Sequence, residues 1–103
     1  MNEVGVSTQK RVTVLVPSML RGDCDGASRI DLDVDQPATL SDLLAALADR
    51  HPRLERRVRD EQGGLRRYVN VYVDGEESRR RDGLATPLRD GSEVHIVPSV
   101  AGG

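Results

Sequence analysis

Four short stretches of this chain place an aliphatic residue at every second position, and that period constrains the fold more than any other feature. Val12, Val14 and Val16 alternate with Arg11, Thr13 and Leu15; Ile30, Leu32 and Val34 alternate with Arg29, Asp31, Asp33 and Asp35. Val69, Val71 and Val73 alternate with Asn70, Tyr72 and Asp74, and Val94 and Ile96 with Glu93, His95 and Val97. Successive side chains of an extended strand point to opposite faces, so each stretch reads as a strand buried on one face only. Pro17 and Pro98 close the first and last of them, and Asp74-Gly75 and Asp90-Gly91 are turn pairs. The polar stretch from Arg21 to Ser28 turns the chain between the first two strands, which are expected to pair as a hairpin.

One segment carries the other period. Leu40, Leu43, Leu44 and Leu47 recur at i, i+3, i+4 and i+7, the single apolar stripe of an amphipathic helix. Thr39 caps it, with Asp42 three residues later as in a capping box, and Pro52 ends it near His51. Leu54 and Val58 seat a short second helical turn, Gly63-Gly64 breaks the chain, and the arginine-rich segment from Glu76 to Asp82 reads as a short edge strand. Strands gathered around one main helix imply an α+β fold: a mixed sheet of four to five strands with the helix packed on one face. The expected organisation is a flexible leader over 1–10, one domain over 11–98 and a flexible C-terminal tail over 99–103.

Composition removes several functions. The 103 residues include no Trp or Phe and only two Tyr, so Val and Leu build nearly all of one modest core, with little left for a deep pocket. A formal net charge of −2 argues against a general polyanion binder, and the Arg79-Arg80-Arg81 run lacks the aromatic partners of a single-strand binder; no nucleic acid is expected. No stretch approaches the apolar length of a membrane span and no signal peptide precedes the domain, so a cytoplasmic protein without membrane contact is expected. His51 and His95 have no cysteine partner or metal-site spacing, which leaves no metal site, and His95 reads as an exposed strand position. The sole cysteine, Cys24 in the run RGDCDGAS, fits a reducing compartment and reads as a surface thiol at a loop tip.

The C-terminal end is the informative part. With glycine near 7% of residues, two terminal glycines arise by chance in roughly 0.5% of chains. A terminal carboxylate that threads a narrow channel on a partner has no room for Cβ atoms, and glycine also reaches backbone angles closed to other residues. The five residues after Pro98 extend by at most about 17 Å, enough to enter a partner's active site while the body stays outside. The strand order with a last strand running into Gly-Gly resembles the ThiS/MoaD family of ubiquitin-like sulfur carriers. The strings YVNVYVDGE (Tyr68 to Glu76), GLATPLRDG (Gly83 to Gly91) and VHIVPSVAGG (Val94 to Gly103) are similar to its CysO-type branch.

The resemblance implies a ubiquitin-like β-grasp fold and a carrier role. A ubiquitin-activating-type adenylyltransferase and sulfurtransferase would use ATP to adenylate the Gly103 carboxylate, and a sulfur donor would leave a thiocarboxylate there, with Gly102 beside it. In the CysO system the thiocarboxylate then attacks an activated serine derivative on a PLP-dependent synthase, and a metalloprotease acts on the adduct. The carrier binds no cofactor and is a co-substrate in cysteine or specialised-metabolite biosynthesis, not an enzyme. A molybdopterin synthase small subunit, a ubiquitin-like protein modifier and an interaction module with an incidental tail remain open. For docking, strand alternation puts Leu15, Tyr72 and Val97 on the otherwise polar sheet face, where they are expected to form an apolar cluster that partners contact together with Val100 and Ala101.

Overall fold

The computed structural model describes residues 9–99; the expected leader through residue 8, and Val100, Ala101, Gly102 and Gly103 of the expected tail, lie outside the described residues. Strands β1 (Gln9–Leu15) and β2 (Arg29–Asp35) form the anticipated antiparallel hairpin, in register from Gln9 opposite Asp35 to Leu15 opposite Arg29. The chain then passes through β3 (Ala38–Thr39), the helices α1 (Leu40–Arg50) and α2 (Pro52–Val58), and β4 (Val69–Val73). Strands β5 (Glu76–Glu77), β6 (Pro87–Leu88) and β7 (Glu93–Pro98) complete it.

The main sheet has the order β2-β1-β7-β4-β5. Its β1–β7 pair is parallel and the other pairs are antiparallel, so the sheet is mixed as expected. A separate two-stranded piece, β3 with β6, is too short to show a period and was not anticipated from the sequence. The expected inward sets are all buried: Val12, Val14 and Val16, then Val69, Val71 and Val73, then Val94 and Ile96. They form one core with Leu40, Leu43, Leu44 and Leu47 of α1, each fully buried, and with Leu54 and Val58 of α2. Among the described residues no helix is long and apolar enough to cross a membrane.

Local chemistry sets the boundaries. Thr39 and Asp42 make the reciprocal capping box: the Asp42 amide donates to Thr39 Oγ1 at 3.3 Å and the Thr39 amide to Asp42 Oδ2 at 2.9 Å. Pro52 both ends α1 and opens α2 from its first turn, where its missing amide costs nothing. At the β4–β5 turn Asp74 and Gly75 have φ of 50° and 87°. Asp74 also accepts from the Glu93 amide at 2.9 Å and from Ser92 Oγ at 3.0 Å, which ties that turn to the start of β7. On the helix-free face Thr13 Oγ1 donates to Asp31 Oδ1 at 2.8 Å, and this hydrogen bond, with Arg29 nearby, holds the Asp31 carboxyl below its ordinary range. The resulting support for the hairpin is complete above the ordinary carboxylate range and fades as acid protonates the group.

Two expectations need correction. The stretch after β1 is not a plain polar turn with a thiol at its tip. Ser18–Cys24 forms a 3₁₀ helix that buries Leu20 and Cys24, leaving Cys24 1% exposed. The reason is α2, whose Arg57 donates to Asp23 at 3.0 Å and holds this segment against the body. The arginine-rich segment is a strand only over Glu76–Glu77; at Ser78, which is fully buried, the chain enters a second 3₁₀ turn, Ser78–Arg80.

The leucine stripe generates a direct test. Leu44→Ala should cost about 2–5 kcal/mol in urea unfolding, by lost burial and the cavity left behind. A cost below about 1 kcal/mol would mean that α1 is not held by this stripe.

Candidate functional site

The C-terminal segment leaves the body from the middle of the sheet. β7 is paired with β1 from Glu93 to His95 and with β4 along its length, from Val94 opposite Val73 to Pro98 opposite Val69. Just beyond it, the Ser99 amide donates to the Tyr68 carbonyl at 2.8 Å, and Ser99 Oγ to the same oxygen at 3.2 Å. The backbone receiving Ser99 is itself held by Arg79. Its guanidinium donates to the carbonyls of Arg66 (2.7 Å) and Val69 (2.8 Å) and to Asn70 Oδ1 (2.8 Å). Three acceptors for one planar fork fix the approach to β4, and with it the position of Ser99. Nothing local in the Arg79-Arg80-Arg81 run marks this role, because the carbonyl contacts span 10 to 13 residues.

The helix-free face holds the second element. In the register His95 lies opposite Leu15 on one side and Tyr72 on the other, and Val97, two residues on, points the same way as His95. Leu15, Tyr72 and Val97 are half-buried and line one shallow depression of about 420 Å³ with Gly75, Glu93 and His95. The structure therefore brings these three apolar side chains together, outside the core, and leaves His95 exposed beside them. Val100, Ala101, Gly102 and Gly103, the other expected site residues, lie outside the described residues. Among the described residues no group of three His, Cys, Asp or Glu side chains is placed to hold a metal ion.

β7 is thus held on both sides up to Ser99, four residues before the Gly102-Gly103 end of the sequence, and comparison with known proteins gives the chain a lineage. The sequence model of the ThiS family matches residues 23–103. The chain belongs to the ThiS family. This ThiS-family chain is 37% identical over 94 residues to the sulfur carrier protein CysO of Mycobacterium tuberculosis, covering 89% of this chain and 98% of that one. It is 40% identical over 78 residues to the small archaeal modifier protein 3 of Haloferax volcanii, 76% of this chain and 84% of that one. Among solved structures, a chain of the Amycolatopsis orientalis BexX/CysO complex superposes with a TM-score of 0.78 at 34% identity, covering 89% of this chain and 99% of that one. The five-stranded mixed sheet with its packed helix is thus the ubiquitin-like β-grasp of this ThiS-family chain.

Cys24 is the remaining nucleophile to place. Its thiol faces the core, donates to the Ala27 carbonyl at 3.4 Å and is pushed up in pKa chiefly by burial. A buried, protonated thiol is a poor nucleophile. Native protein should react with Ellman's reagent far more slowly than protein unfolded in guanidinium. Equal rates would place the thiol at the surface.

Proposed function

We propose that this chain is a sulfur carrier that works through the Gly103 carboxylate. The observation that carries the reading is the likeness to a sulfur carrier over 98% of that protein's length, together with the Gly102-Gly103 end. In the proposed reaction a ubiquitin-activating-type enzyme directs a carboxylate oxygen of Gly103 onto the α-phosphorus of ATP, and pyrophosphate leaves. Sulfur at the level of hydrosulfide then attacks the carbonyl carbon; the new carbon–sulfur bond replaces the bond to AMP, which departs, and the sulfur's proton is lost to solvent. The product is a thiocarboxylate, a soft nucleophile kept on a protein until a sulfur-accepting synthase uses it, a PLP-dependent one if the pathway is that of cysteine. A metalloprotease would then release the product from the adduct. The chain contributes no acid or base and acts as co-substrate.

The depression lined by Leu15, Tyr72 and Val97 is the proposed docking face for these enzymes, with Val100 and Ala101 following the chain into the active site. Apolar side chains gathered on an otherwise polar face are a common mark of a binding surface. That a structural relative occurs in a complex with a second protein supports a carrier that works while docked. A second reading, a protein modifier whose activated carboxyl joins lysines, is favoured by the likeness to the archaeal modifier.

Intact mass after incubation with ATP, an activating enzyme and a sulfur donor separates the two. Sulfur in place of one oxygen supports the carrier, while lysine-linked adducts support the modifier. Adding one residue after Gly103 moves the reactive carboxyl by about 3.5 Å, and errors near 1 Å already cost about a hundredfold. The extended chain should therefore fold normally and fail to load; normal loading would overturn the mechanism. Tyr72→Asp should weaken binding to the activating enzyme in calorimetry while leaving the melting curve close to that of the parent. Unchanged affinity would remove the docking face.

A further inference from the structure

A second surface lies beside Ser99, formed by the 3₁₀ segment, α2 and the approach to β4. It is a groove of about 780 Å³ that runs from Met19 and Leu20 past the end of α2 to Pro98 and Ser99. Two properties set it apart. Met19 and Tyr68, 68% and 51% exposed, are the exposed large hydrophobic residues among those described, and both line it. Four arginines, Arg56, Arg57, Arg66 and Arg67, line it as well, although the whole chain has a net charge of −2.

The positive charge there is only partly answered from within. Asp60, the one acid in the lining, accepts from the amides of Gln62 (2.9 Å) and Gly64 (3.1 Å) and so is committed to its own turn. Arg57 is shared with Asp23, and Arg66 donates to the Arg56 carbonyl at 2.7 Å. The guanidinium groups of Arg56 and Arg67 have no partner among the described residues. Meanwhile Asp33, Asp35, Asp42 and Asp49 gather around a different depression, between β2 and α1, so the two signs of charge are separated on the surface.

We propose that this groove receives an acidic segment of a partner protein, its carboxylates on Arg56 and Arg67 and an apolar anchor between Met19 and Tyr68. A planar guanidinium matches a carboxylate in two parallel hydrogen bonds, and an exposed aromatic beside it supplies contact area that a charge cluster alone lacks. A nucleic acid fits less well: its backbone would use the arginines, but a single aromatic offers one stacking platform and the net negative charge repels a polyanion. Because the groove ends at Ser99, a segment docked there lies beside the start of the C-terminal residues and across the sheet from Leu15, Tyr72 and Val97. The inference rests on surface chemistry alone, and its test involves no sulfur chemistry, so it stands or falls separately from the carrier reading.

The test is a ¹H–¹⁵N titration of the full chain with three probes. They are a short peptide of Asp and Glu around a central Leu, its Asn and Gln counterpart, and an oligouridylate. The acidic peptide should shift the amides of Met19, Leu20, Arg67, Tyr68 and Ser99. Its affinity should fall by about tenfold or more in Arg56→Glu plus Arg67→Glu, and fall again with added salt. Arg56→Gln plus Arg67→Gln, which removes the charges without reversing them, should give an intermediate loss with an unchanged melting curve. The proposal is overturned by shifts confined to Leu15, Tyr72 and Val97, by an equal response to the neutral peptide or by tighter binding of the oligouridylate. It is overturned too by an absence of shifts. Binding that emerges only once residues 100–103 are removed would assign the groove to the chain's own end and equally overturn it.

Discussion

The parallel pairing of β1 with β7 is the constraint on which the rest of the structure depends. Val14 lies beside Val94, so the first and last strands meet at the middle of the sheet. Parallel neighbours need a long crossover, since no tight turn can join them. The residues between them supply it, and α1 and α2 cover the apolar face on the way. On one side β2 extends the sheet by a hairpin; on the other β4 pairs with β7 and carries β5 at the edge. The valines of β1, β4 and β7 then have one common direction in which to be buried, against the leucines of α1.

What was legible in the sequence is what short-range periodicity encodes. A period of two gave the correct buried face for all four long strands, and the 3.6 period with Thr39 and Asp42 gave α1 and its cap. Reading the same alternation on its other face placed Leu15, Tyr72 and Val97 together, because pleating leaves no choice once the inward residues are known. The misses share one cause, contacts between residues far apart along the chain. Cys24 is buried because the segment around it is tied to α2, with Asp23 and Arg57 34 residues apart. Arg79 reaches back to β4, and Met19 meets the groove that Tyr68 lines from another element. Two-residue strands such as β3 and β6 have no period to detect.

The surface follows the same division of labour. Apolar side chains gather where the sheet is bare, whereas arginine and exposed Met19 and Tyr68 gather where α2 and the approach to β4 meet the last residues of β7. Acidic residues collect between β2 and α1. Electrostatic asymmetry of this kind orients an approaching partner before contact, and here the basic region is the one next to Ser99. A chain with few aromatic residues thus distinguishes its surfaces by where it spends its Tyr, Met and Arg side chains.

The central place of β7 also has a mechanical consequence. An edge strand pulled at its end detaches from a single neighbour, one hydrogen bond after another. β7 is held by β1 and β4 at once, and Ser99 adds a further tie to Tyr68. Tension applied at the C-terminus is therefore carried as shear by many hydrogen bonds together, and the core would have to rupture before the strand came free. A strand placed at the middle of the sheet in this way makes the end of the chain a poor handle for a machine that unfolds proteins by pulling.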